Sequence, residues 1–237
     1  HVPNINDFVG GIAALLKPLG TCTLEVPYLP NLLKFNEFDT IYHEHFFYFS
    51  LAALRNVMAA HCLQICHAEQ INIHGGSLRI YVKHAHCMEP MSAELQALIH
   101  SEDEMGIDTP SFYAALQQNA LAIKTGFLQW LHQQLAAGKS IMCYGAAAKG
   151  NTFLNYCGIT TTHIKYVADV TPPKQGLYLP GSHISIVAEE RLKQEKPDFI
   201  VVLPWNFKQE INERLRFTRE WGAQLVYFIP EFEVAVP

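Results

Sequence analysis

Residues 140–152 read SIMCYGAAAKGNT, which joins an apolar run, a glycine and the start of a helical pattern. Residues 140–144 are typical of a buried strand, because a short continuous apolar run bounded by turn residues fits a strand covered on both faces. Gly145 supplies the turn that follows. A helix is then expected over residues 150–157. This order predicts a strand, a tight loop and a helix in direct succession.

The same alternation continues from this strand to the end of the chain. Strands and helices that alternate in this way build a parallel sheet with helices on both faces, since each crossover helix packs back onto the sheet. The sequence therefore predicts an α/β fold. Further strands are predicted at residues 164–169, 184–187, 199–203 and 224–229, and further helices at 189–194 and 209–222.

The first half of the chain has a different pattern. Ser50 is expected to cap a helix that runs to about Ala60. Two strand-like runs, 63–71 and 77–83, flank a pair of glycines, which predicts a hairpin. The other elements predicted here are a helix at 4–16, a strand at 21–26 and mainly helical structure at 88–138, with a new helix starting near Pro110.

Composition and charge exclude several classes of protein. The 237 residues are 49% apolar and 16% charged, with a net charge of -5, whereas a nucleic-acid surface needs a basic patch. The longest apolar run, 199–204, is far too short to span a bilayer. Six scattered cysteines favour reduced, buried thiols over a disulfide framework. We therefore expect a cytoplasmic enzyme that binds neither nucleic acid nor membrane.

The loop at Gly145 resembles the loops that bind nucleotides. It is not a Walker A loop, because Lys149 precedes Gly150 and Asn151 stands where the phosphate-binding lysine belongs. It is an imperfect dinucleotide fingerprint with Ala147 in place of the middle glycine, so a full NAD site is not expected. Backbone amides at the helix start still favour a sugar-nucleotide diphosphate. A tight turn that only packs the helix on the sheet fits the same residues.

Residues 36–49, NEFDTIYHEHFFYF, set ionisable groups among many aromatic rings. Desolvation shifts pKa values in such surroundings, and a histidine near neutrality beside a carboxylate is what a general base needs. Two other interpretations remain open. His43 and His45 on one face of a strand fit a metal pair, although no third ligand has suitable spacing. Ordinary polar residues at the end of a strand also fit.

Within this run, residues 38–45 (FDTIYHEH) closely resemble the signature of the sugar C-methyltransferases, which act on nucleotide-linked 4-keto-deoxysugars. Further segments similar to that family occur in order along essentially the whole chain, so the resemblance does not rest on one motif. These segments are LKPLG at 16–20, EVPY at 25–28, HGGSLR at 74–79, YGAAAKGNT at 144–152, KQG at 174–176, LPG at 179–181 and LPWN at 203–206.

The resemblance implies an enzyme with an N-terminal zinc-binding segment, a central S-adenosylmethionine domain and a C-terminal Rossmann-like domain. By this comparison residues 1–86 form the second half of a class I methyltransferase sheet, 87–136 a helical connector and 137–237 the Rossmann-like domain. The zinc cysteines and the glycine-rich loop of the S-adenosylmethionine domain are absent from these 237 residues. We expect the chain alone to bind S-adenosylmethionine weakly or not at all.

The resemblance also implies roles for single residues in methylating a carbon next to the sugar ketone. His45 is expected to remove the proton, Glu44 to orient or tune His45, and Tyr42 to hydrogen-bond the sugar or the enolate oxygen. His1 ends a family motif that lies at the active site. The candidate substrate-binding residues are Ser77, Arg79, Gly145, Lys149, Asn151, Asp169, Lys174 and Trp205. The six that follow Arg79 are expected near one crevice, because ligands of open α/β sheets lie beyond the carboxyl ends of the strands.

Several alternatives remain open. Ser77 and Arg79 fit a cross-strand pair in the hairpin as well as a substrate contact. Histidines and cysteines at 61–67 and 84–87 resemble metal boxes, but four residues of extended strand, about 13 Å, keep the first pair of cysteines too far apart to share an ion. We therefore expect no metal site. The rival functions are a nucleotide-dependent oxidoreductase or epimerase, and a sugar-nucleotide binding module without enzyme activity.

Overall fold

The computed structural model describes residues 1–71 and 75–236, which fold as two compact units. The first unit comprises His1–Lys34 and His43–Leu116. The second comprises Phe35–Tyr42 and the chain from Gln117 onward. The three-part division of the sequence at 86/87 and 136/137 stays a prediction. Among the described residues, no helix is both long and apolar enough to cross a membrane.

Among the described residues, four α-helices and three strands lie entirely within the first unit. They are α1 Ile5–Leu15, β1 Cys22–Pro27, α2 Leu29–Lys34, α3 Leu51–Ala60, β2 Leu63–Ile71, β3 Ser77–His84 and α4 Ala93–Met105. The strands form an antiparallel sheet in the order β1-β3-β2. The pairing of β2 with β3 confirms the predicted hairpin, although its turn residues 72–74 lie outside the described residues.

The core of the first unit lies where α1, α3 and α4 bury apolar side chains against the strands. The predicted cap of α3 is confirmed, because the Ser50 hydroxyl accepts a hydrogen bond from the N–H of Ala53 at 3.0 Å. A second cap comes from α4. The buried carboxylate of Glu102 accepts hydrogen bonds from the N–H groups of Leu51 at 2.7 Å and Ala52 at 2.8 Å.

The second unit is an α/β fold on a six-stranded sheet. Its helices and strands are α5 Pro110–Ala136, whose first turns belong to the first unit, β4 Ile141–Tyr144, α6 Ala148–Cys157, β5 Tyr166–Ala168, β6 Ser185–Val187, α7 Arg191–Glu195, β7 Phe199–Val202, α8 Lys208–Arg214, β8 Gln224–Tyr227 and β9 Glu233–Ala235. The strand order is β6-β5-β4-β7-β8-β9, and only β9 runs antiparallel to its neighbour. The predicted parallel sheet is thus confirmed.

Strand order places a switch point at the centre of this sheet. From β4 the chain first adds β5 and β6 on one side, and then crosses to add β7 and β8 on the other. The loops that follow β4 and β7 therefore leave the sheet in different directions and open a crevice at the carboxyl ends of the strands. This is the edge of an α/β sheet where ligands bind.

Three elements differ from the sequence-based prediction. A helix, α2, occupies a region expected to be a loop with two prolines; Pro30 is tolerated because it lies in the first helical turn. The edge strand β9 was not predicted. The helix expected at 209–222 is α8 followed by a 3-10 helix over Leu215–Trp221.

Segment Phe35–Tyr42 is attached to the second unit by side chains along its length. Asn119 donates a hydrogen bond to the side-chain oxygen of Asn36 at 2.9 Å. Phe38 packs against Phe153 and Tyr156, with ring centroids 6.4 and 5.2 Å away. Phe38–Thr40 forms one turn of 3-10 helix. The segment is therefore an ordered part of the second unit.

Candidate functional site

A crevice of about 230 Å³ opens at the switch point of the second unit. Its walls come from the loops after β4, β5 and β7 and from α8. Three predicted substrate-binding residues, Gly145, Asp169 and Lys174, line it. The remaining lining residues are Tyr144, Ala147, Val170, Thr171, Pro204, Phe207, Glu210, Ile211 and Arg214.

Gly145 lets two walls of this crevice approach each other. Its φ of +86° favours glycine, and a Cβ atom there would lie 2.4 Å from Cδ of Pro204. The N–H of Gly145 donates to the carbonyl of Ala168 at 2.8 Å, so the loop also continues the pairing of β4 with β5. A side chain at this position would therefore push the loop after β4 away from the loop after β7.

Asp169 fastens the loop after β4 to the loop after β5. One carboxylate oxygen accepts from the N–H of Ala146 at 2.6 Å and the other from the N–H of Thr171 at 2.8 Å. The ammonium of Lys174 donates to the carbonyl of Ala146 at 2.9 Å and lies 3.7 Å from the carboxylate. Burial acts to raise the pKa of Asp169, but the hydrogen bonds and Lys174 outweigh it and lower the pKa.

The amides of this loop are less available to a ligand than the sequence suggested. Gly145 and Ala146 donate as described above, and Ala147 donates to the carbonyl of Gly145 at 2.9 Å. The first-turn amides of α6 differ, because the N-cap residue, Ala147, has no side chain able to accept from them. The amides of Gly145, Ala146 and Ala147 are thus already engaged within the protein, and those at the start of α6 lack a side-chain cap.

A charged network adjoins the crevice through Tyr144 and Arg214, which both line it. Glu189 accepts hydrogen bonds from the hydroxyl of Tyr144 and from Nε of Arg214, each at 2.6 Å. Burial, together with the bond to Glu189, raises the pKa of Tyr144. Sequence reasoning missed both Tyr144 and Arg214. Tyr144 directly precedes Gly145, which was a usable signal, whereas nothing in the sequence distinguished Arg214 from other exposed arginines.

Lys149 and Trp205 are not among the residues that line the crevice; they lie in a buried cluster with segment Phe35–Tyr42. The indole N–H of Trp205 donates to Asp39 at 2.8 Å. The ammonium of Lys149 donates to Asn206 at 2.8 Å and lies 4.3 Å from the centroid of the Trp205 ring. Asp39 is 1% exposed and Glu37 is 5% exposed. We call these five residues the Asp39 cluster.

Burial dominates the electrostatics of the Asp39 cluster. It raises the pKa of Asp39 to about 6, although the Trp205 hydrogen bond and Lys149 oppose the rise. It also raises the pKa of Glu37 to about 7, against Lys149 and together with the charge of Asp39. Burial lowers the pKa of Lys149, whereas the two carboxylates oppose that change. Each charged group is therefore desolvated, and only partly compensated by its neighbours.

Asn151, another predicted substrate-binding residue, lies in the first turns of α6, and its N–H donates to the carbonyl of Ala147 at 3.0 Å. Its side-chain oxygen is buried, and within the described part of the chain it has no hydrogen-bond partner. Asn151 is absent from the lining of the crevice. Its predicted contact with substrate stays a prediction.

The predicted catalytic residues lie in an irregular loop. Residues 41–48 form no strand, so the pairing of His43 and His45 on a strand face does not occur. Tyr42 is half-buried and ends segment Phe35–Tyr42, while the exposed Glu44 and the half-buried His45 belong to the first unit. Among the residues described, no group of three histidine, cysteine or acidic side chains has the geometry of a metal site.

His1 and His45 are brought together in the first unit. Their ring centroids lie 5.0 Å apart, and the Tyr48 ring stands edge-on to His45 at 6.1 Å. These two histidines were assigned to the same active site only by the family resemblance. The structure therefore places two imidazoles and a tyrosine ring in one small cluster of the first unit, and the catalytic roles of His1 and His45 stay predictions.

The hairpin candidates have partners within their own sheet. Arg79 forms ion pairs with Glu25 at 3.1 Å and Glu69 at 3.4 Å, and the Glu25 hydrogen bond raises its pKa. Glu25 and Glu69 are the cross-strand neighbours of Arg79 in the register of the sheet. Ser77 is buried at the start of β3. This geometry favours the cross-strand role for Arg79, and substrate binding by either residue stays a prediction.

Comparison with known proteins supports the resemblance seen in the sequence. A family model described as the C-methyltransferase C-terminal domain matches residues 72–230. The C-methyltransferase NovU of Streptomyces niveus is 36% identical over 234 residues, which cover 98% of this chain and 55% of that protein. The chain thus spans about half the length of this relative. It belongs to the C-methyltransferase family.

Proposed function

We propose that this protein transfers a methyl group from S-adenosylmethionine to a carbon next to the ketone of a nucleotide-linked deoxysugar. The observation that carries the proposal is the crevice at the switch point of the second unit, in a member of the C-methyltransferase family. Lys174 and the first turn of α6 supply positive potential there, which favours the diphosphate of a sugar nucleotide.

The residues of the chain supply the proton chemistry in this proposal. His45 removes the proton from the carbon next to the ketone, and the electron pair of that C–H bond moves into an enolate. The hydroxyl of Tyr42 donates a hydrogen bond to the enolate oxygen, where charge develops in the transition state. Glu44 orients the imidazole of His45. A positioned hydroxyl matters because the proton is acidic only if the enolate is stabilised as it forms.

The methyl donor, unlike the sugar nucleotide, is not assigned to a site in the described residues. S-adenosylmethionine supplies a methyl group on a sulfonium, which the enolate carbon can attack. In class I methyltransferases, as in other α/β nucleotide sites, the ligand lies at the carboxyl ends of parallel strands. The described sheet of the first unit is antiparallel throughout and provides no such edge. We therefore assign no donor contact to the described residues.

Hydrogen exchange at the substrate tests the base separately from methyl transfer. In deuterated water the full-length protein should exchange the hydrogen next to the ketone of a 4-keto-deoxysugar nucleotide, as followed by mass spectrometry. His45→Ala should lose this exchange together with methyl transfer, while the substrate KM stays within about threefold, because a general base acts mainly in the transition state. His100→Ala is the matched control, since its side chain is 75% exposed on α4.

Two results would contradict the assignment. Turnover of His45→Ala within a few-fold of the parent would remove His45 from the role of base. Absence of both exchange and methyl transfer in the full-length parent, with several nucleotide-linked keto-sugars and S-adenosylmethionine, would instead contradict the proposed reaction.

Binding to the crevice is a second test. A nucleoside diphosphate should protect amides at 145–151 from hydrogen exchange, and Lys174→Ala should weaken its binding by about tenfold, the worth of one charge-assisted contact. Lys165→Ala is a control cation outside the crevice lining. Stronger protection by NAD than by a nucleoside diphosphate would favour the oxidoreductase alternative. Protection confined to residues 42–45 would also contradict the crevice as the nucleotide site.

A further inference from the structure

The Asp39 cluster is not needed for the proposed chemistry, yet it buries two carboxylates, Glu37 and Asp39, beside the half-buried Lys149. An unneutralised carboxylate in a protein interior is costly, and an apolar side chain of similar size is often equally or more stable there. A cavity of only about 10 Å³ adjoins Asp39 and Trp205, so nothing larger than one water fits beside them. The cluster is therefore not a ligand site of its own.

The location of the Asp39 cluster indicates which parts of the chain it joins. Asp39 lies on segment Phe35–Tyr42, three residues before Tyr42, and its partner Trp205 lies in the loop after β7. Trp205 and Asn206 stand between Pro204 and Phe207, which both line the crevice. One hydrogen bond thus connects the backbone that leads to Tyr42 with a wall of the crevice.

The Asp39–Trp205 hydrogen bond constrains segment Phe35–Tyr42 differently from the other contacts of the segment. Phe38 and Asn36 attach the earlier part of the segment through ring packing and an amide contact. Asp39 adds a directional contact nearer to Tyr42. The short turn that follows has main-chain hydrogen bonds from Thr40 to Glu37 at 3.0 Å and from Ile41 to Phe38 at 3.1 Å. Apolar packing alone would allow this turn to shift or rotate, whereas a buried bond of fixed geometry does not.

We propose that Asp39 is a positioning residue for methyl transfer, which through Trp205 fixes the turn that presents Tyr42 to the enolate oxygen. The inference rests on the proposed function for the role of Tyr42. Asp39 itself does not contact substrate. Its carboxylate is required for geometry, so an acceptor of the same shape should replace it.

The test compares Asp39→Ala, which removes the acceptor, with Asp39→Asn, which keeps it, and with Trp205→Phe, which removes the donor. Thr218→Val is the matched control. Thr218 is fully buried in the same unit and donates to the carbonyl of Leu215 at 2.7 Å, far along the chain from the segment. These four variants and the double variant of Asp39→Ala with Trp205→Phe are made in the full-length protein, and their melting temperatures are recorded.

The first measurement needs no substrate. Amide exchange at Thr40 and Ile41 should accelerate by about tenfold or more in Asp39→Ala and Trp205→Phe, because their turn loses its anchor. Asp39→Asn and Thr218→Val should stay within about threefold of the parent. Unchanged exchange at Thr40 and Ile41 in a folded Asp39→Ala protein would overturn the inference.

The second measurement separates kcat from KM. Asp39→Ala and Trp205→Phe should each lower kcat by about tenfold with KM for the nucleotide-sugar within about threefold, and the double variant should be no worse than either, because both remove one interaction. Asp39→Asn should recover most of the loss. A raised KM with parental kcat in Trp205→Phe would make Trp205 a substrate contact and overturn the inference. So would a loss of kcat in Thr218→Val as large as in Asp39→Ala.

The two proposals fail in distinguishable ways. If the parent shows no methyl transfer to any nucleotide-linked keto-sugar, the proposed function fails, and the exchange data alone decide whether Asp39 holds the turn before Tyr42. If the parent is active but the Asp39 variants match it in kcat, only the positioning role fails.

Discussion

Gly150→Ala is the most direct test of how closely α6 approaches the sheet. Gly150 lies in the first turn of α6, and a Cβ atom built there would lie 2.5 Å from Cβ and 2.8 Å from Cδ1 of Leu203, the residue that follows β7. Real Cβ atoms do not come this close, and Leu203 cannot yield easily because its own N–H is bonded to the carbonyl of Tyr144.

The expected magnitude follows from two opposing effects. Forcing a methyl group into a filled contact costs about 1–3 kcal/mol of unfolding free energy. Replacing glycine by alanine inside a helix returns about 0.5–1 kcal/mol, because alanine loses less backbone entropy on folding. Gly150→Ala should therefore lower the unfolding free energy by about 0–2.5 kcal/mol, with a midpoint of about 1 kcal/mol.

Gly126→Ala supplies the matched control, since Gly126 lies inside α5 and a Cβ atom there meets nothing within 4 Å. Only the helix preference remains at this site, so the variant should gain about 0.5–1 kcal/mol. Urea titration followed by tryptophan fluorescence reports the second unit, because Trp130, Trp205 and Trp221 all belong to it. Equal gains in stability for both variants would refute the close approach of α6 to Leu203.

Two further predictions concern buried carboxylates. Burial raises the pKa of Asp39 from 3.8 to about 6, so the folded state holds the proton of this carboxyl more tightly than the unfolded state does, and the contribution of Asp39 to stability is lost as the pH rises from 4 to above 6. The reference is Asp39→Asn, which faces the same Lys149 and Glu37. Relative to this variant, the parent should lose about 3 kcal/mol of unfolding free energy between pH 4 and pH 8, measured by urea titration. A constant difference across that range would contradict the raised pKa. Glu102→Ala leaves two buried N–H groups at the start of α3 without their acceptor and should cost about 2–4 kcal/mol by circular dichroism, whereas the exposed Glu104→Ala on the same helix should change stability by less than about 0.5 kcal/mol.

The second unit was predictable because its strands are buried on both faces. Such strands are continuous apolar runs, and the turns between them are marked by glycine, proline and asparagine. The edge strand β9 has neither signal: it is three residues long, none of its residues is buried, and it is defined by pairing with β8. Helix α2 could not be predicted from the sequence for a similar reason, because six residues that include a proline do not form a helix without tertiary contacts.

The candidate site also contains residues that the sequence could predict and contacts that it could not. Gly145, Asp169 and Lys174 were expected at one crevice because the carboxyl ends of parallel strands meet at one edge of a sheet, and the structure brings them together there. The partnership of Asp39 with Trp205 could not be predicted, since 166 residues of sequence separate them. Desolvation of the aromatic run 36–49 was expected from its composition, and within that run it is found at Glu37 and Asp39.

Asp169 shows why position alone does not fix the role of an acidic residue in such a sheet. In dinucleotide sites an acidic side chain at the end of the second strand accepts hydrogen bonds from ribose hydroxyls. Here each oxygen already accepts a main-chain N–H, from Ala146 or Thr171, and those bonds draw the loop after β4 towards the loop after β5. A ribose would have to share these oxygens or displace those bonds, leaving buried N–H groups unsatisfied. Two cationic side chains, Lys174 and Arg214, line the crevice, and positive charge there suits a diphosphate better than a ribose. This arrangement favours a ligand held by its diphosphate, as in the proposed nucleotide-sugar, over a redox dinucleotide held by its ribose.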